Sequence, residues 1–251
     1  MSKEETTVIT RETVTRLLKD VRQIIKNPLT DNGIYYVHDE SDMLKGYAMI
    51  VGPSDTPYFG GYYFFEFNYP FDYPFSPPKV KYMTNDGITR FNPNLYKCGK
   101  VCVSILNTWN GDKWSSCQTI NSILLTLCSL LNEHPFLNEP GQKLESQDCK
   151  SYHKIIAYCN IDFAVCELIN KSKNKIPNRF EIFYPQMLEL FYANYNKLLN
   201  IIENKIKSET EEVLTVRLYN MSNYIDYNKL KIKLLFVKTV IDEEHATKSL
   251  K

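Results

Sequence analysis

The sequence predicts an α+β fold, and three observations carry it. Four short runs with strand character (IYYVHD, LKGYAMIVG, GYYFFEFNYP and PKVKYMT) follow one another between residues 34 and 84, separated by turn signals and not by helices. Links that short favour an antiparallel meander over a βαβ arrangement. Amphipathic helical patterns flank the meander at 11–26 and 119–133, and from about residue 149 the chain shows helical spacing, which predicts a helical C-terminal extension.

Each element has its own signal. In RETVTRLLKDVRQIIK, the residues Val14, Leu17, Leu18, Val21, Ile24 and Ile25 recur on one helical face, with Arg16, Lys19, Arg22 and Lys26 on the other. Pro28 and Gly33 in NPLTDNG end the helix. In the third strand Tyr63, Phe65, Phe67 and Tyr69 share one face, while the other ends in Glu66 and Asn68, so one face is core and the other partly wet. Pro70, Pro74, Pro77 and Pro78 lack backbone donors and must form rigid loop, either a partner platform, since little entropy is lost on docking, or a strand connection that packs its own aromatics. After an irregular stretch at 85–118, Ile120, Ile123, Leu124, Leu127, Leu130 and Leu131 mark the second helix. Tyr152, Ile155, Ile156, Cys159, Phe163, Cys166 and Ile169 mark a third within 149–170. Further helices are expected at 180–205 and 226–241, with KSKNKIPN (171–178) and KIKSETEE (205–212) as linkers.

Composition narrows the function classes. Hydrophobic residues make up 43%, enough to bury a core, and the net charge of +1 calls for neither nucleic acid nor an acidic membrane surface. The polar start MSKEETTVITRE does not read as a signal peptide, and ILLTLCSLL (123–131) is too short to span a bilayer. Seven scattered cysteines predict reduced thiols and a cytoplasmic placement, with nuclear placement also open. Neither a Cys-x-x-Cys pair nor a Gly-rich phosphate loop occurs, and the four histidines do not have zinc-ligand spacing to a cysteine pair, so no metal or nucleotide cofactor is expected.

The chemistry concentrates in RFNPNLYKCGKVCVSILNTW (90–109), where Cys98 and Cys102 follow an Asn-Pro-Asn triplet. Taken alone, Cys102 could be a small buried hydrophobe. A cysteine hydrolase pairing Cys102 with His134 or His153 would need a close base, often at a helix N-terminus, whereas Cys102 follows a turn in an irregular stretch. A latch between Cys98 and Cys102 would need a suitable backbone bend.

The order of elements and the phrases GPSDTPYFGGYYFFEFNYPFDYPFSPPKV (52–80), NPNLYKCGKVCVSIL (92–106), Trp114 and NEPG (138–141) resemble the ubiquitin-conjugating enzyme family. Phe-Asn-Pro-Asn, Lys-Val-Cys and Asn-Thr-Trp are similar to its large, Z-type members and to the catalytic domains of hybrid conjugating enzyme–ligases. The resemblance implies the UBC fold, with a catalytic core over 8–170 and a helical extension over 171–251. It implies that Cys102, eight residues after Asn94 as in the family, accepts ubiquitin or a ubiquitin-like modifier as a thioester and passes it to a substrate lysine. Asn94 would order the site or stabilise the oxyanion, and Glu139 would gate the incoming lysine. Ser104 stands where many members have aspartate. Asn92 replaces the family's usual histidine, a mainly structural residue, so the loop is expected to be rebuilt with activity kept. The segment 107–114 is longer than in minimal members.

By the same resemblance, Arg16, Lys19 and Arg22 would bind the activating enzyme. Phe75, Pro77 and Pro78, with Ser115 and Ser116, would form the two ligase-binding loops. The chain would need no cofactor, since the activating enzyme uses the ATP. The rival reading is a non-catalytic variant that only holds ubiquitin or a ligase.

Overall fold

The first helix starts where the sequence supplies a cap. Thr10 lies in extended backbone and its side chain accepts from the Thr13 N–H, opening α1 (Arg11–Lys26) with a satisfied first turn. The buried stripe is Thr13, Leu17, Asp20 and Ile24. This is rotated from the expected apolar face: Leu18 is 41% exposed and Ile25 74%. The cause is polar. Thr13 Oγ1 donates to the Phe71 carbonyl at 2.7 Å, while the Asp20 carboxylate accepts from Arg16 Nε at 2.9 Å and from the Tyr73 hydroxyl at 2.5 Å. The Pro-rich loop thus draws a polar edge of the helix inward. In this computed structural model the described residues are 8–171 and 174–249. The polar residues 1–7, two residues of the expected 171–178 linker and the last two residues lie outside the described residues.

The four expected strands form one antiparallel sheet in sequential order: β1 (Ile34–His38), β2 (Lys45–Val51), β3 (Tyr62–Asn68) and β4 (Lys79–Tyr82). Register pairs Tyr36 with Ala48, Ala48 with Phe65, and Phe65 with Tyr82. Tyr63, Phe65, Phe67 and Tyr69 are buried as the alternation predicts. The opposite face is not wet along its length. Tyr62 and Phe64 are also buried, because a 3-10 segment (Asn178–Phe183) and the start of α4 (Tyr184–Ser208) cover them. Phe64 packs on the rings of Phe180 at 5.0 Å and Phe183 at 6.5 Å, and the Tyr62 hydroxyl donates to the Met187 carbonyl at 2.8 Å. Only Glu66 and Asn68, at the far end of the strand, remain half-buried.

Helix α2 (Ile120–Ser129) opens on a capping box between Thr119 and Ser122 and buries Ile120, Ile123, Leu124 and Leu127. Helix α3 (Gln147–Cys159) runs into a π-helical segment (Asn160–Glu167), and all seven expected inward residues are buried. The extension is not wholly helical. Between α4 and α5 (Tyr227–Ser249) it forms a hairpin of β5 (Glu212–Val216) and β6 (Met221–Ile225), in a stretch to which the sequence pattern assigns no element, while α4 runs on to Ser208 through half of the linker expected at 205–212. Val216 and Met221 are fully buried, and the hairpin and both flanking helices share one continuous core with the sheet. Among the described residues no helix is long and apolar enough to cross a membrane.

Candidate active site

The spacing between Asn94 and Cys102 is a hairpin register. After the buried Phe91, the chain turns back on itself through a bridge between Leu95 and Val101, and the Tyr96 N–H donates to Lys100 O at 2.9 Å. Residues whose numbers sum as those of Leu95 and Val101 do therefore face each other, and the next pair outward is Asn94 with Cys102. Two hydrogen bonds close that pair: the Cys102 N–H donates to Asn94 O at 2.9 Å, and Asn94 Nδ2 donates to Cys102 O at 2.7 Å. The tip of the turn reaches Gly99 at a φ of +89°, which a side chain rarely tolerates. Cys98 sits on that tip, exposed, while Cys102 is held in the wall of the site at 3% exposure.

One N–H of the Asn94 amide thus holds the backbone of Cys102. Asn94 Oδ1 is buried with no hydrogen-bond partner among the described residues. The loop carrying it is rebuilt around Asn92, which is fully buried. Asn92 Oδ1 accepts from the Asn94 N–H at 2.9 Å, and its Nδ2 donates to the Tyr58 hydroxyl at 3.0 Å and to Leu130 O at 2.7 Å. The Tyr58 hydroxyl in turn donates to Phe91 O at 2.7 Å. A single side-chain amide here supplies both an acceptor and two donors, which suits it to tie a loop to the end of α2.

Leu130 O also accepts from Asn138 Nδ2 at 3.2 Å, which joins the Asn92 loop to the 3-10 turn Pro135–Asn138. Glu139 follows that turn, half-buried, and its Oε2 accepts from the Tyr219 hydroxyl at 2.9 Å. Ser104 opens the 3-10 turn Ser104–Leu106, and among the described residues its hydroxyl makes no hydrogen bond to Cys102. The long 107–114 segment folds back over it: a Cβ on Gly111 would lie 3.1 Å from Ser104 Cβ.

Among the described residues, no histidine is hydrogen-bonded to Cys102. His134 is exposed beside Glu133, at 3.7 Å. Four other thiols are disfavoured by burial, which penalises the thiolate. Desolvation raises Cys128 and Cys149, pushes Cys159 up to about 12, and pushes Cys166 higher still. Alkylation of the folded chain should therefore mark exposed Cys98 and Cys117 and leave Cys159 and Cys166 unmarked until denaturation. Peptide mass mapping checks this, and labelling of Cys159 as fast as Cys98 would contradict it.

The expected partner residues divide. Lys19, Arg22, Ser115 and Ser116 are exposed, and Phe75 is 66% exposed. Pro77 is half-buried, and Pro78 is buried where the Pro-rich loop enters β4. Arg16 is engaged within the chain: besides Asp20, it donates through Nη1 to Ser116 O at 2.7 Å. Trp114 Nε1 donates to Pro74 O at 2.7 Å. The two loops and α1 are therefore wired to one another. Sequence reasoning missed Arg90 and Tyr219. The Arg90 guanidinium lies over the Tyr96 ring at 3.6 Å and the Tyr219 ring at 4.7 Å, and it donates to Pro93 O. No local pattern marks either residue, since the pairing joins positions more than a hundred apart.

The family model described as "Ubiquitin-conjugating enzyme" matches residues 16–159, which include Asn94, Cys102 and Glu139. The chain is 46% identical over 185 residues to Ubiquitin-conjugating enzyme E2 Z of Xenopus tropicalis, covering 72% of this chain and 58% of that protein. It is 45% identical over 157 residues to the Homo sapiens protein of the same name, covering 61% and 44%. It is also 37% identical over 182 residues to the Mus musculus dual E2 ubiquitin-conjugating enzyme/E3 ubiquitin-protein ligase BIRC6, covering 65% of this chain and 4% of that protein. The chain spans about half the length of the E2 Z relatives it matches. With more than half of its residues matched by one family model and the Asn94–Cys102 register in place, the chain belongs to the ubiquitin-conjugating enzyme family.

Proposed function

We propose that this chain accepts ubiquitin or a ubiquitin-like modifier from an activating enzyme as a thioester on Cys102, and transfers it to a substrate lysine with a ligase. The observation that carries this reading is the two-bond clamp between Asn94 and Cys102, which holds one of seven thiols in a fixed frame. A thiol of pKa near ~8.5 is partly ionised at neutral pH, and exchange of one thioester for another is nearly balanced, so acceptance needs no adjacent base. Transfer is harder. A lysine ammonium, with a pKa near ~10.4, must first lose a proton, and bringing it to neutrality at physiological pH corresponds to roughly 4 kcal/mol. The neutral amine then attacks the thioester carbonyl, the C–S bond breaks, and the proton released from nitrogen neutralises the departing Cys102 thiolate. Glu139 is the acid suited to receive the ammonium, and Asn94 keeps the cysteine backbone in place during the attack.

Lys19 and Arg22 would meet the activating enzyme, with Arg16 holding the adjoining loop. Phe75, Pro77, Ser115 and Ser116 would meet the ligase. Free thiols throughout suit a reducing compartment, the cytoplasm or nucleus. ATP enters only through the activating enzyme. The test is a charging assay with activating enzyme, ATP and ubiquitin, run on a gel with and without reductant. A reducible band carrying one modifier, kept in Cys98→Ala, is expected. No band with any activating enzyme and modifier tried would overturn the proposal in favour of a binding-only variant.

A further inference from the structure

The turn of the C-terminal hairpin reaches back to the two loops that carry the site. Tyr219, the last residue of the 3-10 turn Arg217–Tyr219, donates its hydroxyl to Glu139 Oε2 at 2.9 Å. Its ring packs edge-on against Phe136 at 5.9 Å and Tyr152 at 5.7 Å, and also lies under the Arg90 guanidinium that holds Pro93 O. One side chain therefore touches the Glu139 turn directly and the Asn-Pro-Asn loop through Arg90.

The hairpin is itself held on several sides. Asn220, at a φ of +48°, closes the turn. The Leu218 N–H donates to Asp148 Oδ2 at 3.3 Å, and the Arg90 N–H approaches Met221 Sδ at 3.4 Å. Asn223 Nδ2 donates to Thr89 Oγ1 at 3.4 Å and to Cys159 Sγ at 3.3 Å. Burial and the neighbouring carboxylate raise the Tyr219 phenol far above its ordinary range, so it stays a neutral donor at any working pH. The family match ends at residue 159, so this contact comes from outside the matched core.

We infer that Tyr219 is a positioning residue for lysine transfer: its hydroxyl fixes the Glu139 carboxylate through Oε2 and leaves Oε1 to the incoming lysine. The inference rests on the reading of Glu139 as the lysine-gating acid. A carboxylate free to rotate presents its charge over many directions, whereas one pinned by a hydrogen bond presents it in one. The extension thereby becomes part of the transfer machinery and does more than cover the sheet.

The experiment charges the full chain first, removes the activating enzyme, and follows discharge of the thioester to free lysine or to hydroxylamine. Tyr219→Phe keeps the ring contacts and removes only the hydroxyl. It is expected to charge like the wild type and to discharge to lysine about tenfold more slowly, the size of losing one hydrogen bond to a charged group. The lysine concentration needed for half-maximal rate should rise. Discharge to hydroxylamine, which is already neutral, should not change. In a Glu139→Gln background the Tyr219→Phe change should have no further effect, since the two act as one unit.

Normal lysine discharge in a normally charged variant would overturn this inference alone. So would equal slowing with both nucleophiles, faster lysine discharge, or an undiminished effect on top of Glu139→Gln. A wild-type chain that never charges would overturn the parent reading and this one with it.

Discussion

Alanine at Cys102 is expected to leave no modifier adduct in the charging assay while the fold survives. The loss should be complete, because no other thiol can take over. Cys128, Cys149, Cys159 and Cys166 are held above the ordinary thiol range by burial. Cys98 and Cys117 are exposed, but neither has the paired backbone bonds that fix Cys102 against Asn94. The fold should survive because both bonds of that clamp use the Cys102 backbone, which alanine retains. Removing one buried sulfur should cost about 1 kcal/mol, a melting shift of a few degrees for a chain of this size. A gel and a thermal scan decide it together. A reducible adduct persisting in Cys102→Ala would reject Cys102 as the nucleophile.

Alanine at Gly52 should have the largest effect on stability. A Cβ there would lie 1.7 Å from Tyr58 O and 2.4 Å from Tyr58 C, both backbone atoms that cannot rotate aside. The same short loop is closed by the Gly52 N–H donating to Gly61 O, the Gly60 N–H to Gly52 O, and the Gly61 N–H to Tyr58 O, at 2.8, 3.1 and 3.0 Å. Making room means breaking that set, at a cost of roughly 3–5 kcal/mol, or about 10 °C in melting temperature. The damage should extend to the site, since displacing Tyr58 removes the hydroxyl that receives from Asn92. Charging should therefore fall along with stability. Gly87→Ala is the contrast: it is exposed, has a φ of +82° and nothing within 4 Å of the added Cβ, so only the backbone strain remains, about 1–2 kcal/mol. Equal melting temperatures for the two variants would refute the packing argument at Gly52.

The parts legible in the sequence are those whose causes lie within a few residues. Alternation in GYYFFEFNYP located β3, helical spacing located α2 and α3, and the eight-residue interval between Asn94 and Cys102 was legible through its resemblance to the family motif, which the structure shows to be the register of one tight turn. Tertiary contacts decided the rest. Leu18 and Ile25 look inward by periodicity, yet α1 is rolled by Thr13 and Asp20 bonding to the loop that carries Phe71 and Tyr73. The sheet face bearing Tyr62 and Phe64 was expected to be partly wet, and is dry because Phe180, Phe183 and Met187 arrive from more than a hundred residues away.

The hairpin at 212–225 was hidden by its composition. Val213 and Tyr224 face outward, and the run before it is charged, so its local pattern resembles a linker until α3 offers Val216 and Met221 a place to bury. A short hairpin gains most of its stability from such docking and little from its own pairing. By itself the sequence singled out Cys102 only through its resemblance to the family, a motif written in a run of adjacent residues. Only the tertiary structure decided that Tyr219 meets Glu139 and that Arg16 is engaged within the chain, because those contacts depend on where separate elements come to rest against a shared core.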